Sequence, residues 1–105
     1  MEADNLRFLG LIRRAGKLST GEEGTKQAVR AGKVKLILLA SDASENARKR
    51  AEELAARAQV PMITLDAEKA SLSEALGIAG GAMMAVCDDG FAIALEKRIR
   101  KSREE

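Results

Sequence analysis

The chain has 105 residues, with 18 Lys and Arg against 16 Asp and Glu and a net charge of +2 at pH 7. This length predicts one domain over residues 1–105 with a single modest core. One cysteine and no histidine exclude a disulfide framework and a zinc or haem ligand set, so we expect no metal and no cofactor. The longest apolar run falls far short of the roughly 20 residues that a bilayer span needs, so we expect a cytoplasmic chain with no membrane partner.

The first third of the chain predicts two helices joined by a short strand. Apolar side chains at helical spacing predict a helix over residues 4–15, and residues 17–19 predict a very short strand. A second helix is predicted to begin at Gly21. The spacing of Thr20 and Glu23 predicts a capping box at its start.

The middle of the chain predicts a buried strand followed by an alanine-rich helix. Residues 34–40 are a nearly continuous apolar run of strand length, which is typical of a strand covered on both faces. Residues 44–58 form an amphipathic pattern with many small residues on the inward face. Pro61 then blocks helix continuation and introduces a short strand over residues 62–65. Helices must therefore cover both faces of the sheet.

A short helix and a further strand are predicted next. Ser71 and Glu74 have the spacing of a capping pair for a helix that ends near Gly77, although Asp66 offers an alternative start one turn earlier. Residues 82–87 are apolar and predict the last strand.

The chain is predicted to finish with a helix. Asp88 and Asp89 are suited to cap a helix that begins at Gly90, and we expect the tail over residues 101–105 to be loose. Because helices and strands alternate throughout, the sequence predicts an α/β fold: a single-domain three-layer α/β/α sandwich on a mixed sheet of about four strands.

No side-chain pattern indicates catalysis. The sequence lacks a histidine base, a nucleophile elbow and a nucleotide phosphate loop. Adjacent carboxylates such as Asp88 and Asp89 are typical helix caps, and Cys87 at the end of an apolar strand is typical of a buried, unreactive thiol. We therefore predict no catalytic residue and a protein that is not an enzyme.

Charge and aromatic content limit the kind of partner. Residues 1–35 carry eight Lys and Arg against four Asp and Glu, which suits a polyanion, although most charged runs are simply solvated faces. Phe8 and Phe91 both fall on apolar helix faces, so no aromatic platform for stacked bases is predicted. A nucleic-acid partner would therefore be a structured RNA, recognised through helix ends, loops and shape.

Two glycine-containing segments are candidate surfaces. A helix that begins at Gly21 presents backbone N–H groups and a positive dipole end to a phosphate or a base edge, and an ordinary solvated helix face is the alternative. The segment after Ser71 carries glycines at 77, 80 and 81 with Ile78 as an exposed apolar tip. A helix cap followed by a flexible lead-in to a strand is the alternative there.

Several blocks together resemble one family. The run AVRAGKVKLILLASD over residues 28–42, the Val60–Pro61 pair and the block LSEALG over residues 72–77 resemble the ribosomal protein family of kink-turn RNA binders. That family includes the archaeal "seven-Ae" and eukaryotic "thirty-e" large-subunit proteins, and the chain looks most like its bacterial YlxQ-type branch. The resemblance spans nearly the whole length. It implies an α/β/α sandwich that binds kinked RNA through the start of the helix after the first strand and the loop ahead of the last strand.

The family's RNA-binding helix motif is only partly present. Its Gly-x-Asn-Glu-x-x-Lys stretch falls on Gly21, Glu23, Gly24 and Gln27, and only the first glycine matches. Glu23 offers acceptors and a negative charge where the family has an amide, and Gln27 replaces a cation with a neutral group. We expect affinity for a kink-turn to be weaker or differently tuned, with neighbouring cations compensating through phosphate contacts.

The family's loop motif is better kept. Leu72, Ala75 and Gly77 match a Leu-Gly-x-Ala-x-Gly pattern, with Ser73 in place of its first glycine. Residues 78–79 then occupy the tip that packs on the RNA bulge in relatives.

The function predicted from residues and resemblance together is that of a noncatalytic, ribosome-associated, monomeric protein that recognises kinked or bulged structured RNA. The predicted RNA-binding residues are Lys17, Gly21, Glu23, Gly24, Lys26, Gln27, Arg30, Lys33, Ser41, Asp42, Gly77, Ile78 and Ala79. The alternative is a protein-interaction adaptor on the same fold, since the Glu22–Glu23 pair suits a basic protein surface, and a small-molecule enzyme is a distant third. The RNA hypothesis requires the opening turn of the second helix and the glycine-flanked loop to lie side by side.

Overall fold

Helices and strands alternate along the chain in the computed structural model, which describes residues 1–104. The elements are α1 (Ala3–Arg14), β1 (Leu18–Thr20), α2 (Gly21–Arg30), β2 (Leu36–Leu39), α3 (Glu45–Ala58), β3 (Met62–Thr64), α4 (Lys69–Leu76), β4 (Met83–Val86) and α5 (Asp89–Glu104). Every predicted helix and strand is confirmed, with ends that differ from the prediction by a few residues.

The four strands form one mixed sheet in the order β1-β4-β2-β3. β2 runs parallel to β3, while β4 runs antiparallel to both β1 and β2. All residues of the two central strands, β2 and β4, are buried. The prediction of a strand covered on both faces is confirmed for β2.

Alternate residues of the central strands supply two separate cores. Leu36 and Leu38 point into a core closed by α1, α4 and α5, whereas Ile37 and Leu39 point into a core closed by α2 and α3. Successive side chains of a strand face opposite sides of a sheet, so an unbroken apolar run serves both layers. The predicted three-layer α/β/α sandwich is confirmed.

Strand direction brings several loops to one end of the sheet. Thr20 at the end of β1 is the register partner of Met84, and Leu39 at the end of β2 is the partner of Met83. β1, β2 and β3 therefore finish at the end where β4 begins, which we call the rim end. The backbone N–H of Ala40 donates to the carbonyl of Ala82 at 2.9 Å, which fixes the entry to β4 beside the exit from β2.

The predicted capping box of α2 and the predicted start of α4 at Ser71 are wrong, although α2 does begin at Gly21. The side chain of Thr20 makes no capping hydrogen bond, so the predicted box with Glu23 does not form, and the carboxylate of Glu23 instead lies 3.9 Å from the Lys26 ammonium. α4 begins at Lys69 rather than at Ser71.

The other helix starts follow the sequence. Ser44 Oγ accepts the N–H of Ala47 at 3.1 Å at the start of α3. Asp88 Oδ2 accepts the N–H of Phe91 at 2.9 Å at the start of α5. Side-chain acceptors at these positions satisfy N–H groups that have no partner within the helix.

The predicted loose tail is wrong for residues 101–104, which continue α5 as helix. Buried Asn5 on α1 donates to Ser102 Oγ at 3.1 Å, and the Arg103 guanidinium donates to the carbonyl of Thr64. These contacts hold the last turns of α5 against the body of the fold. Residue 105 lies outside the described residues.

Gly81 is required by close packing between the 77–82 loop and α4. A Cβ atom there would lie 2.8 Å from the carbonyl oxygen of Lys69 and 2.9 Å from Ser73 Oγ. We expect Gly81→Ala to lower the free energy of unfolding by about 1–3 kcal/mol, because backbone atoms have to shift to admit the methyl group. Urea denaturation of the variant and the wild type measures the difference, and a variant as stable as the wild type would contradict this packing.

Candidate nucleic-acid interface

The first turn of α2 begins directly after β1 at the rim end. Gly21 has φ +79°, a left-handed conformation that glycine adopts without steric cost. The buried hydroxyl of Thr25 donates to the Gly21 carbonyl at 2.8 Å and so ties the turn together. The sequence therefore predicts correctly where this helix starts, and the turn presents N–H groups that no helical carbonyl can accept.

The loop between α4 and β4 is the second glycine-containing segment. Gly77 ends α4 with φ +65°, and the N–H of the buried Gly81 donates to Ser73 Oγ at 3.1 Å. Ala79 is exposed, but Ile78 is only partly exposed and packs against the core under α1, α4 and α5. The prediction of Ile78 as an exposed tip is wrong, because the loop folds back onto α4 and turns this side chain inward.

These two segments lie at the same end of the sheet. α2 leaves the end of β1 and the 77–82 loop enters the start of β4, and β1 and β4 are hydrogen-bonded neighbours. We call residues 21–24 together with residues 77–82 the rim. The two segments are therefore not at opposite ends of the molecule, an arrangement that would have excluded the RNA hypothesis.

Ser41 and Asp42 also lie at the rim end, in the turn after β2. Ser41 donates its backbone N–H to the carbonyl of Ala67 at 2.9 Å. Asp42 Oδ1 accepts the N–H of Lys69 at 2.8 Å and so caps α4. Asp42 therefore has a structural role that its position in the sequence did not reveal.

Three predicted cations do not join the rim. Lys17 precedes β1 at the opposite end of the sheet, where its carbonyl accepts the N–H of Cys87 at 2.8 Å. Arg30 is the last residue of α2, about 13 Å along the helix axis from Gly21 at 1.5 Å per residue. Lys33 lies beyond it. Both Arg30 and Lys33 therefore lie away from the 77–82 loop.

The remaining predicted cation, Lys26, belongs to an ion-pair cluster between α2 and α3. Glu22 Oε1 accepts a hydrogen bond from Arg50 Nε at 2.6 Å, and Glu22 Oε2 lies 3.3 Å from Lys26 Nζ. The hydrogen bond from Arg50, with a smaller contribution from Lys26, lowers the pKa of Glu22 from its usual value of 4.5. Glu22, one of the two carboxylates on which the adaptor alternative relied, is thus paired within the protein itself.

A groove between α2 and α3 contains residues that sequence reasoning missed. Its cavity of about 290 Å³ is lined by Lys26, Val29, Arg30, Arg50, Glu53, Leu54 and Arg57. Arg50 and Arg57 are seven residues apart and share a face of α3. The sequence contains that spacing, but it does not say which neighbouring helix the face meets.

Other chemistry is limited in the described part of the chain. The rings of Phe8 and Phe91 pack edge to face with centroids 5.9 Å apart, so both aromatics serve the core, as predicted. Among residues 1–104, no group of three His, Cys, Asp or Glu side chains is placed to hold a metal ion. No helix over the same residues is long and apolar enough to cross a membrane.

The fold and the sequence together identify the family. The chain belongs to the ribosomal protein L7Ae/L30e/S12e/Gadd45 family, whose model matches residues 6–95. It is similar to the RNA-binding protein YlxQ of Enterococcus faecium, with 37% identity over 87 residues that cover 83% of this chain and 82% of that one. The RNA-binding protein YlxQ of Bacillus subtilis (strain 168) is 34% identical over 85 residues, covering 81% of this chain and 84% of that one.

A solved structure shares the fold. The structure of a protein with unknown function from Bacillus halodurans C matches with a TM-score of 0.84 and 34% sequence identity, covering 94% of this chain and 99% of that chain. The resemblance to the bacterial YlxQ-type branch stated from the sequence is confirmed.

The Glu22 ion pairs predict a pH dependence of stability. A carboxyl whose pKa is lowered in the folded state stabilises the fold above its unfolded pKa, and this contribution is lost as the pH falls through the folded pKa. We expect Glu22→Gln to be less stable than the wild type at pH 7 and equally stable once both carry a neutral side chain well below pH 4.5. Urea denaturation across this range measures the difference, and a gap that stays constant with pH would contradict the pairing.

Proposed function

We propose that this protein is a noncatalytic, cytoplasmic RNA-binding protein that recognises kinked or bulged structured RNA of the kink-turn type and associates with the ribosome. The observation that carries the proposal is the placement of the first turn of α2 and the 77–82 loop at the same end of the sheet, next to hydrogen-bonded neighbouring strands. The names of the YlxQ relatives from Enterococcus faecium and Bacillus subtilis support RNA as the partner.

The physical character of the rim suits bent RNA better than a regular duplex. A-form helices display few base edges that side chains can reach, whereas kinks and bulges expose them. The rim offers backbone N–H groups at the start of α2 and small residues on the loop, with Ala79 exposed. Such a surface allows an irregular RNA backbone to approach closely. Recognition then depends on the shape of the RNA rather than on its base sequence.

Gly24 supports an approach from outside the protein. A Cβ atom at this position would meet Ser19 at 3.8 Å, an ordinary contact, so internal packing leaves room for a side chain. Glycine inside a helix lowers stability by about 0.5–1 kcal/mol relative to alanine. Since neither backbone conformation nor packing requires glycine here, we attribute the residue to close contact between the α2 backbone and the RNA.

Charge at the rim is consistent with modest affinity. Glu23 has 77% of its side chain exposed and faces solvent with a negative charge, and Lys26 is paired with Glu22. Gln27 is exposed about one turn beyond Glu23 on the same helix and offers an amide that both donates and accepts. Shape and hydrogen bonding therefore contribute more at the rim than phosphate attraction does.

The substitution Gly24→Ala tests RNA binding independently of stability, because we expect the two to change in opposite directions. We expect the variant to unfold at higher urea concentration, with about 0.5–1 kcal/mol of added stability, and to bind a kink-turn RNA roughly 5- to 30-fold more weakly, because the methyl group displaces about one hydrogen bond to RNA. Gel-shift titrations at fixed salt measure the affinity, with a straight duplex of the same composition as the second ligand.

Gly10→Ala is the matched control. Gly10 lies within α1 and a Cβ there meets nothing within 4 Å, so this variant should gain similar stability with unchanged RNA affinity. Equal wild-type affinity for the kinked and the straight RNA would contradict the proposed function. Equal affinity of Gly24→Ala and wild type for the kinked RNA would remove Gly24 from the interface.

A further inference from the structure

The groove between α2 and α3 runs along the later turns of both helices, toward the end of the sheet opposite the rim. α2 follows β1 and α3 follows β2, and both strands finish at the rim end, so the two helices run in the same direction. Glu22 in the first turn of α2 contacts Arg50 on α3. Arg30 and Arg57 line the same groove from the last turns of their helices.

The groove carries a net positive charge even when the ion pairs formed by its lining residues are taken into account. Four of its lining residues are cations, Lys26, Arg30, Arg50 and Arg57, and one is a carboxylate, Glu53. Lys26 and Arg50 share the carboxylate of Glu22. Among residues 1–104, no carboxylate oxygen lies within 4.0 Å of a guanidinium nitrogen of Arg30 or Arg57, the distance that defines an ion pair. The guanidinium groups of Arg30 and Arg57 therefore line the groove without an ion pair in this part of the chain, with Glu53 as the carboxylate that shares the groove.

We propose that the α2–α3 groove binds the phosphate backbone of the RNA stem that continues from the kink held at the rim. This inference rests on the proposed function and adds to it a second contact region, with Arg30 and Arg57 as its phosphate-binding residues. Guanidinium groups donate two parallel hydrogen bonds to phosphate oxygens. Because the groove begins at Lys26, in the second turn of α2, an RNA strand that leaves the rim along α2 meets these cations in succession.

A simpler explanation is that these arginines stabilise their own helices rather than bind RNA, and the experiment has to distinguish the two. Cations in the last turn of a helix stabilise it through the helix dipole, and Arg30 and Arg57 both occupy that position. Arg13 and Arg14 occupy the last turn of α1, which lies in the other helical layer. All four side chains are exposed. The two pairs are therefore matched in charge, exposure and helix position and differ in whether they line the groove.

The test uses two kink-turn RNAs, one with a stem that ends near the kink and one with the stem extended by about a helical turn. We expect the double variant Arg30→Gln/Arg57→Gln to bind the extended RNA roughly 10- to 50-fold more weakly than the wild type does. The slope of log affinity against log salt concentration should fall by about 1.5, since each lost phosphate contact removes roughly 0.7–0.9. Affinity for the short-stem RNA should change by less than about 2-fold.

The control Arg13→Gln/Arg14→Gln should leave affinity for both RNAs within about 2-fold of the wild type. Glu53→Gln, which removes the one carboxylate that lines the groove, should tighten binding of the extended RNA alone by roughly 2- to 5-fold. Equal losses in the two double variants, or equal losses on the two RNAs, would overturn the groove proposal, as would Glu53→Gln with unchanged affinity. Wild-type protein that binds kinked and straight RNA equally would instead overturn the proposed function.

Discussion

The antiparallel pairing of β2 with β4 determines where the candidate RNA-binding residues lie. Leu36 to Leu39 face Val86 to Met83 at the centre of the sheet, and all eight residues are buried. Since neighbouring residues on each strand point into different cores, a shift of one residue would exchange the two cores. The register is therefore strongly specified, and with it the position at which the 77–82 loop enters β4. The rim follows from that register, because β1 pairs with the other side of β4 and delivers the start of α2 to the same end.

In the resulting molecule, the surface proposed to recognise RNA shape and the cations proposed to bind phosphate lie in different places. The rim consists mostly of glycines and alanines, with Glu23 as its exposed charge, and its nearest cation, Lys26, is paired with Glu22. The guanidinium groups of Arg30 and Arg57, which form no ion pair among residues 1–104, lie further along and line the α2–α3 groove. In the family motif, a cation stands where this chain has Gln27. Under the groove proposal Arg30 and Arg57 offset that loss, since phosphate contacts depend on the position of a charge more than on the residue that carries it.

Local sequence patterns predicted those parts of the fold that depend on local chemistry. The apolar run of β2, the alanine-rich face of α3 and the Asp88 cap of α5 were all identifiable, because each depends on neighbouring residues. The contacts that remained hidden join distant segments. Asp42 caps α4 from the turn after β2, and Arg50 pairs with Glu22 across two helices. The separation of Lys17 and Lys33 from the rim was hidden for the same reason, since it depends on strand direction and not on spacing.

The most direct measurement of the central claim is an NMR titration of backbone amide shifts with a kink-turn RNA. The account predicts that the amides of Gly21, Gly24 and Ala79 shift together on binding, because residues from two distant parts of the chain form one surface. Lys17, at the opposite end of the sheet, should shift little. Shifts centred on Lys17 and Cys87, with the rim unaffected, would contradict the account.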